Sequence, residues 1–519
     1  MLNNAPANAL ALKHPVKSAA AWEKLAHHAK QFSGDHARHT LQSLFASNPH
    51  RGREMVFSCD NVSFDASKNL ITQDTLDLLF ALAESAGLKE KIKGLFTGEI
   101  LNTTENRPAL HTALRSDHSK HSSAKTLTVN GTDVAAAIKE TRAQMKDFTE
   151  KFHDEKQFTD IVHIGIGGSD FGPQLVCRSL SHLAKAGLKT HFLSNIDPDA
   201  FHEVISRISL EKSLFIIASK SFTTQETITN AHSIKALFLS QFGKDYDFGK
   251  HFCAVTGKHQ AARDFGVPDT QIFDLPDWVG GRFSLWSAVG LPIALTLGYE
   301  NFSALLEGAA QADNHFRSTD FTQNIPVLMA LIGIWNRNFL GYSGLCVLPY
   351  AHRLALFPNF IQQLDMESNG KSVDLEGKAI EYATTPLVFG GIGTLAQHTF
   401  FQFLHQSQDI VPCDFIAIGE PLAQYGDHHE KLIANVLGQT KALMEGRINI
   451  SETHKNFNGN RPSNLIWLDQ LTPQALGALI AIYEHKIFTQ GVIWNINSFD
   501  QFGVELGKEL ATEALKNMA

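Results

Sequence analysis

The chain is poor in the features that mark several common fates. Cysteine is scarce: Cys59, Cys177, Cys253, Cys346 and Cys413 are five in number and widely spaced, with no C-x-x-C. An odd count at such spacing argues against a disulfide framework and a thiolate zinc site, and the expected state is reduced cysteine in the core. Basic residues are not in excess. There are 45 Lys and Arg against 53 Asp and Glu, a formal net charge of −8, so no global positive field draws in nucleic acid or anionic lipid, and any phosphate on a ligand has to be met by a local site. Long apolar runs are missing too. The longest uncharged stretch, Phe283 to Tyr299, is interrupted by Gly290 and Pro292 and falls short of the roughly 20 apolar residues of a membrane span. The opening Met1-Leu2-Asn3-Asn4-Ala5 lacks the charged-then-apolar layout of a secretory signal. These absences predict a soluble, cytoplasmic protein with neither nucleic acid nor membrane among its partners. The 25 histidines form no H-E-x-x-H or H-x-H, and the adjacent pairs His27-His28 and His428-His429 do not share a helix face. No metal and no cofactor is expected.

What is present is the composition of an ordinary globular protein, 519 residues with 43% hydrophobic and 19% charged, long enough for two to four domains. The first 120 residues read as mainly helical, with one hairpin between Val56 and Ile71 where Phe57, Val62, Phe64 and Ile71 sit among turn residues. Polar Lys120-His121-Ser122-Ser123 leads to an Asn130-Gly131 turn and suggests a boundary. Val134, Ile138, Met145 and Phe148 then give a helical stripe. Strand-like runs follow at Ile161–Ile166, His191–Ser194, Leu214–Ala218, Phe252–Thr256 and Gln271–Leu275, with helical patterns between them, the first helix opened by Pro173 and closed by Gly187. A second set lies at Leu345–Leu348, Leu387–Gly390 and Phe415–Ile418. Short apolar strands alternating with helices predict α/β architecture: two tandem αβα sandwich domains with mainly parallel sheets, a helical N-terminal segment and a helical C-terminal tail from about Gln501. The expected division is 1–120, 121–285 and 286–519. Ligands of such sheets sit beyond the carboxyl ends of the strands.

Six segments carry candidate chemistry. Gly165-Ile166-Gly167-Gly168-Ser169-Asp170-Phe171-Gly172-Pro173 follows a strand and opens a helix. It fails the dinucleotide fingerprint because the third glycine is replaced by Asp170, which disfavours a nicotinamide oxidoreductase. What remains is a loop of backbone N–H groups at a helix start, suited to an anion or a sugar hydroxyl, or simply a tight turn. Ser219-Lys220-Ser221-Phe222-Thr223-Thr224-Gln225-Glu226-Thr227 gathers five hydroxyls and a lysine where a helix N-cap needs one such residue. The surplus suggests a phosphate site, and without a Walker lysine pattern a single phosphate rather than a triphosphate. In Asp277-Trp278-Val279-Gly280-Gly281-Arg282-Phe283-Ser284, glycines place Arg282 where it can face a ligand and stabilise an oxyanion, or pair with a surface carboxylate. In Gln363-Leu364-Asp365-Met366-Glu367-Ser368-Asn369-Gly370-Lys371, Asp365 and Glu367 point to different helix faces, so one is open to catalysis and the other to solvent. Gly393 to Phe400 opens an aromatic helix in which His398 and His405 share a face. Gly491 to Lys508 closes the chain in an aromatic and glycine context unusual for a free tail.

Together these segments resemble the glucose-6-phosphate isomerase (phosphoglucose isomerase) family, from Asn102-Thr103-Thr104-Glu105-Asn106-Arg107 to Lys508. Asp277–Gly290 and Gly491–Lys508 look like that family's two signatures, and Ser221 stands where relatives often carry threonine. The resemblance implies a sugar-isomerase fold and the interconversion of glucose 6-phosphate and fructose 6-phosphate through a cis-enediol, a step of glycolysis and gluconeogenesis. It implies Glu367 as the base moving the proton between C2 and C1, Arg282 as the stabiliser of the enediolate, and His398 and Lys508 in ring opening. Ser219, Lys220, Ser221 and Thr224 match the phosphate cradle, and Gly168, Ser169, Gln363 and Gln501 match sugar contacts. It further implies a homodimer whose histidine is supplied by the neighbouring subunit. Two rivals stay open at this point: a non-catalytic sugar-phosphate-binding regulator, which has no need of Glu367, His398 and Lys508 together, and a dual glucose/mannose phosphate isomerase.

Overall fold

The computed structural model describes Val16 and residues 20–32, 37–116 and 127–518; the polar stretch at Lys120 to Ser123 lies outside them. After the helices Ala20–His28 and Leu41–Ser47, the expected hairpin forms as β1 (Val56–Cys59) and β2 (Val62–Asp65). A second, two-residue hairpin, β3 (Thr128–Val129) and β4 (Thr132–Asp133), turns on Asn130 and Gly131 at φ 50° and 81°, the left-handed pair that Asn-Gly adopts readily. Asp133 then caps the helix Val134–Glu155, accepting from the N–H groups of Ala135 and Ala136.

The first large sheet contains β5 (Asp160–Ile164), β6 (Lys189–Leu193), β7 (Ser213–Ala218), β8 (Phe252–Thr256) and β9 (Ile272–Asp274), in the order β6-β5-β7-β8-β9 and parallel throughout. Every residue of β5, β7 and β8 is buried, which is why these strands read as unbroken apolar runs rather than as alternation. The second contains β10 (Gly344–Pro349), β11 (Leu387–Gly390), β12 (Cys413–Ile418) and β13 (Ser463–Leu468). Its order is β1-β2-β13-β12-β10-β11, parallel from β13 to β11, with the N-terminal hairpin added antiparallel at one edge.

Two features depart from the sequence reading. β13 is not foreseen, because it starts on Ser463-Asn464 and carries no clean period. Asn464 is tolerated in a buried strand because its amide donates to Asp414 and its carbonyl accepts from Asn69, both at 2.7 Å. The helix expected from Pro173 to Gly187 runs only over Phe171–Ser179 and gives way to a 3₁₀ turn at Ser181–Leu183; the run Ser179-Leu180-Ser181-His182 is weak helix former. The uncharged stretch from Phe283 breaks into 3₁₀ turns followed by the short buried helix Leu291–Leu297. Among the described residues no helix is long and apolar enough to cross a membrane. The five cysteines are buried thiols, and burial pushes those of Cys59, Cys177 and Cys253 up to about 12. At the centre runs the helix Pro473–Ile493, buried on nearly all sides.

Candidate functional site

β5 ends in the glycine loop, and the loop lies against the arginine turn. Gly167 sits at φ 61°. Gly168 admits no side chain: a Cβ there would fall 2.2 Å from the carbonyl of Gly281 and 2.5 Å from the backbone nitrogen of Arg282. The hydroxyl of Ser284 donates to the Gly168 carbonyl at 3.3 Å. Asp170, which breaks the dinucleotide pattern, is buried with Oδ1 unpartnered. Burial raises its carboxyl to about 6, against a hydrogen bond from Ser194. Beside it His163, fully buried, hydrogen-bonds through Nε2 to the Ser169 carbonyl at 2.6 Å, and burial lowers it to about 4.

The hydroxyl loop follows β7. Thr224 occupies the N-cap of the helix Gln225–Phe242, yet its side chain makes no capping bond. Its hydroxyl instead meets that of Ser219 at 3.0 Å, and Thr223 donates to the Ser221 hydroxyl at 2.7 Å. The hydroxyls are therefore surplus to helix capping, as the sequence suggested. The Lys220 ammonium donates to the carbonyls of Asp277 at 2.8 Å and Val279 at 3.0 Å, so it ties this loop to the arginine turn. Burial, with Arg107 adding to it, lowers Lys220 to about 8, and Asp277 and Glu105 oppose the shift.

Arg282 lies in the 3₁₀ segment Gly281–Trp286 and is buried. Nε donates to Ser368 Oγ at 2.6 Å, Nη1 to Gln501 Oε1 at 3.0 Å, and Nη2 to the carbonyls of Ser498 at 2.6 Å and Asp500 at 3.1 Å. Nη1 also stands 3.4 Å from Glu367 Oε1. Burial lowers the guanidinium below its ordinary value, with Glu367, Asp500 and Glu105 pulling it back; it remains a cation. Glu367 comes from the last turn of the helix Phe357–Asn369, and its other oxygen accepts from Gln363 at 2.9 Å. Asp365 is not the solvated partner that the sequence left possible. It is fully buried, accepting from Lys486 and Thr385, each at 2.6 Å. A cavity of about 400 Å³ opens on Glu367, Lys371, Asp500, Gln501 and Thr104.

Two predicted residues are not in this cluster. His398 ends the 3₁₀ turn Leu395–His398, is exposed, and does not line the cavity. Lys508 sits on the helix Glu505–Met518, which buries none of its residues and leaves Leu506, Leu510 and Leu515 in the open. The cavity wall runs as far as Val504, one turn short of Lys508. Sequence reasoning missed Ser368, Thr104 and Lys371. The Lys371 ammonium donates to the carbonyls of Ser368 at 3.0 Å and Asp500 at 2.8 Å and pairs with Asp500 Oδ1 at 3.0 Å. Its place four residues after Glu367, at a helix end, was the available signal. Among the described residues no group of His, Cys, Asp and Glu gathers with the makings of a metal site.

The glycine loop and the hydroxyl loop, beyond the carboxyl ends of parallel strands, are both tied to the turn of Arg282, whose guanidinium meets Glu367 at the cavity wall; this is where α/β proteins hold small ligands. The structure superimposes on a solved glucose-6-phosphate isomerase of Chlamydia trachomatis with a TM-score of 0.87 at 34% identity, over 97% of this chain and 96% of that one. Glucose-6-phosphate isomerases of Methylococcus capsulatus and Christiangramia forsetii are 44% and 45% identical to it, over 96% and 95% of this chain and 94% of each relative. Residues 65–519 match the sequence profile of phosphoglucose isomerase, and the chain belongs to the phosphoglucose isomerase family.

Proposed function

We propose that this protein interconverts glucose 6-phosphate and fructose 6-phosphate, an aldose–ketose isomerisation through a cis-enediol. The observation that carries the reading is the pair Arg282 and Glu367: a buried guanidinium 3.4 Å from a carboxylate that stays partly open to the cavity. Abstracting a proton next to a carbonyl needs a positioned base and a fixed positive charge at the oxygen where charge develops. Glu367 takes the proton from C2 and returns it to C1, or the reverse, while Arg282 faces the enediolate oxygens. Gln363 and Gln501 hydrogen-bond the two charged groups and orient them.

The hydroxyls of Ser219, Ser221 and Thr224, with the N–H groups at the start of helix Gln225–Phe242, hold the phosphate. Gly168 and Ser169 meet the sugar. Lys220 adds its charge from behind the loop. Because the phosphate lies away from the reacting carbons, its binding energy serves to position the substrate. Ring opening needs proton transfer at the ring oxygen and the anomeric hydroxyl, a task for Lys508 and for His398 of the partner subunit in a homodimer. The exposed apolar residues of the last helix, together with Leu395 and Phe403 near His398, support an assembly that covers both.

The test is an assay with fructose 6-phosphate coupled to oxidation of the product. Glu367→Gln keeps the shape and removes the basicity, so turnover is expected to fall at least ~10²-fold with KM little changed. Near-parental isomerisation by that variant would remove Glu367 from the role.

A further inference from the structure

Three consecutive ionisable residues, Glu484, His485 and Lys486, lie at the middle of the helix Pro473–Ile493, and all three are buried. A buried ionisable group is costly unless it is paired; each has a partner, and the partners lie on four different elements. Glu484 accepts from Trp286 Nε1 at 2.9 Å and from Arg115. Trp286 is the last residue of the 3₁₀ segment that carries Arg282. Arg115 also lies 4.8 Å over the Trp286 ring and makes a two-pronged bond to Asp313 at 2.6 and 2.7 Å. His485 meets the same Asp313, on the helix Tyr299–Ser318, at 2.6 Å. Lys486 donates to Asp365 at 2.6 Å, and Asp365 lies two residues before Glu367 on the helix Phe357–Asn369. That helix is held to the same support a second time, by the Asn369 amide donating to the Ile487 carbonyl at 2.9 Å.

Glu484 and Lys486 are two residues apart, roughly 200° round the helix axis, and so reach to nearly opposite sides. One side holds the turn of Arg282 and the other holds the helix of Glu367. We propose that Glu484 and Lys486 are positioning residues for the proton-transfer pair: the buried helix is a brace whose two charges set the distance between Arg282 and Glu367. Neither residue lines the cavity. The inference rests on the isomerase reading above for the importance of that distance. Misplacing a reacting group by about 1 Å costs as much as 10²-fold in rate, whereas binding energy drawn from the phosphate loop is left intact.

The experiment uses the full chain and two variants, one single and one double. Trp286→Phe removes the N–H that reaches Glu484 together with part of the buried indole ring under Arg115. Asp365→Leu with Lys486→Met replaces the buried ion pair by apolar groups, a change that is often neutral or stabilising. Three quantities are read: melting temperature, kcat and KM for fructose 6-phosphate per folded molecule, and the Arg282–Glu367 separation by crystallography. The apolar double variant is expected to melt close to the parent and Trp286→Phe below it; both are expected to lose about tenfold in kcat per folded molecule with KM within about twofold, and to show the separation widened from 3.4 Å. A purely structural role predicts instead that kcat follows the melting temperature. Folded variants with parental kcat and an unchanged separation overturn the brace. An unsubstituted chain that fails to isomerise fructose 6-phosphate overturns the function reading, and the separation in the variants then decides the brace by itself.

Discussion

Asp170 closes the glycine loop with a buried carboxylate, one oxygen of which has no partner. Its carboxyl is raised from 3.8 to about 6 by burial, so between those values the folded chain binds more protons there than the unfolded chain does. Its contribution to stability is fully present below about 3.8 and is lost as pH rises through about 6. Asp170→Asn has no carboxylate to ionise. The difference in unfolding free energy between variant and parent, read from denaturant melts, is expected to grow in favour of the variant from pH 4 to pH 7, by up to about 2–3 kcal/mol. His163, depressed to about 4 in the strand before the loop, acts on parent and variant alike and largely cancels. A difference that stays flat across that range would show that Asp170 keeps an ordinary carboxyl.

The glycine loop and the arginine turn are 116 residues apart at the Ser284–Gly168 bond, and their contact depends on the missing side chain at Gly168. Gly168→Ala puts a methyl group 2.2 Å from the Gly281 carbonyl, so the turn has to shift and Arg282 with it. A loss of about 10²-fold in kcat is expected, with a destabilisation of about 1–3 kcal/mol. Gly281→Ala, whose Cβ would meet nothing within 4 Å, should melt like the parent. Parental turnover in Gly168→Ala would mean that the two elements move independently. Strands β5, β7, β8 and β11 were legible because continuous apolar runs bounded by turn residues have few alternatives. β13 was not, since its buried Asn464 makes sense only beside Asp414 and Asn69, which are remote in sequence. The same holds for the site. Glu367, Arg282 and the hydroxyl loop could be read from local chemistry and family resemblance. Asp365 could not, because its partner Lys486 lies 121 residues away and nothing local tells a buried carboxylate from a solvated one.

The exposed last helix and the exposed His398 belong to the scale of the assembly. If each pocket draws Glu367 from one chain and His398 from the other, a dimer of Glu367→Gln with His398→Ala has one doubly damaged pocket and one intact pocket. Each variant alone is expected to be nearly inactive. Co-refolding in equal amounts makes about half of the dimers mixed, so about a quarter of parental activity should return. No recovery, with mixed dimers shown by mass, would put both residues in the pocket of a single chain.

The pairing of the N-terminal hairpin with β13 also has a consequence for the order of events at the ribosome. Asn69, just past the hairpin, bonds to Asn464, 395 residues later, and β2 has no neighbour but β1 until β13 has been made. Closing so long a loop adds little equilibrium cost, only about 0.6 kcal/mol for each doubling of its length. The burden is one of waiting. During most of translation Val62 and Phe64 belong to an open strand edge, the kind of surface that templates aggregation. The hairpin therefore joins the six-stranded sheet late, only once β13 has been made, although β10, β11 and β12 pair without it.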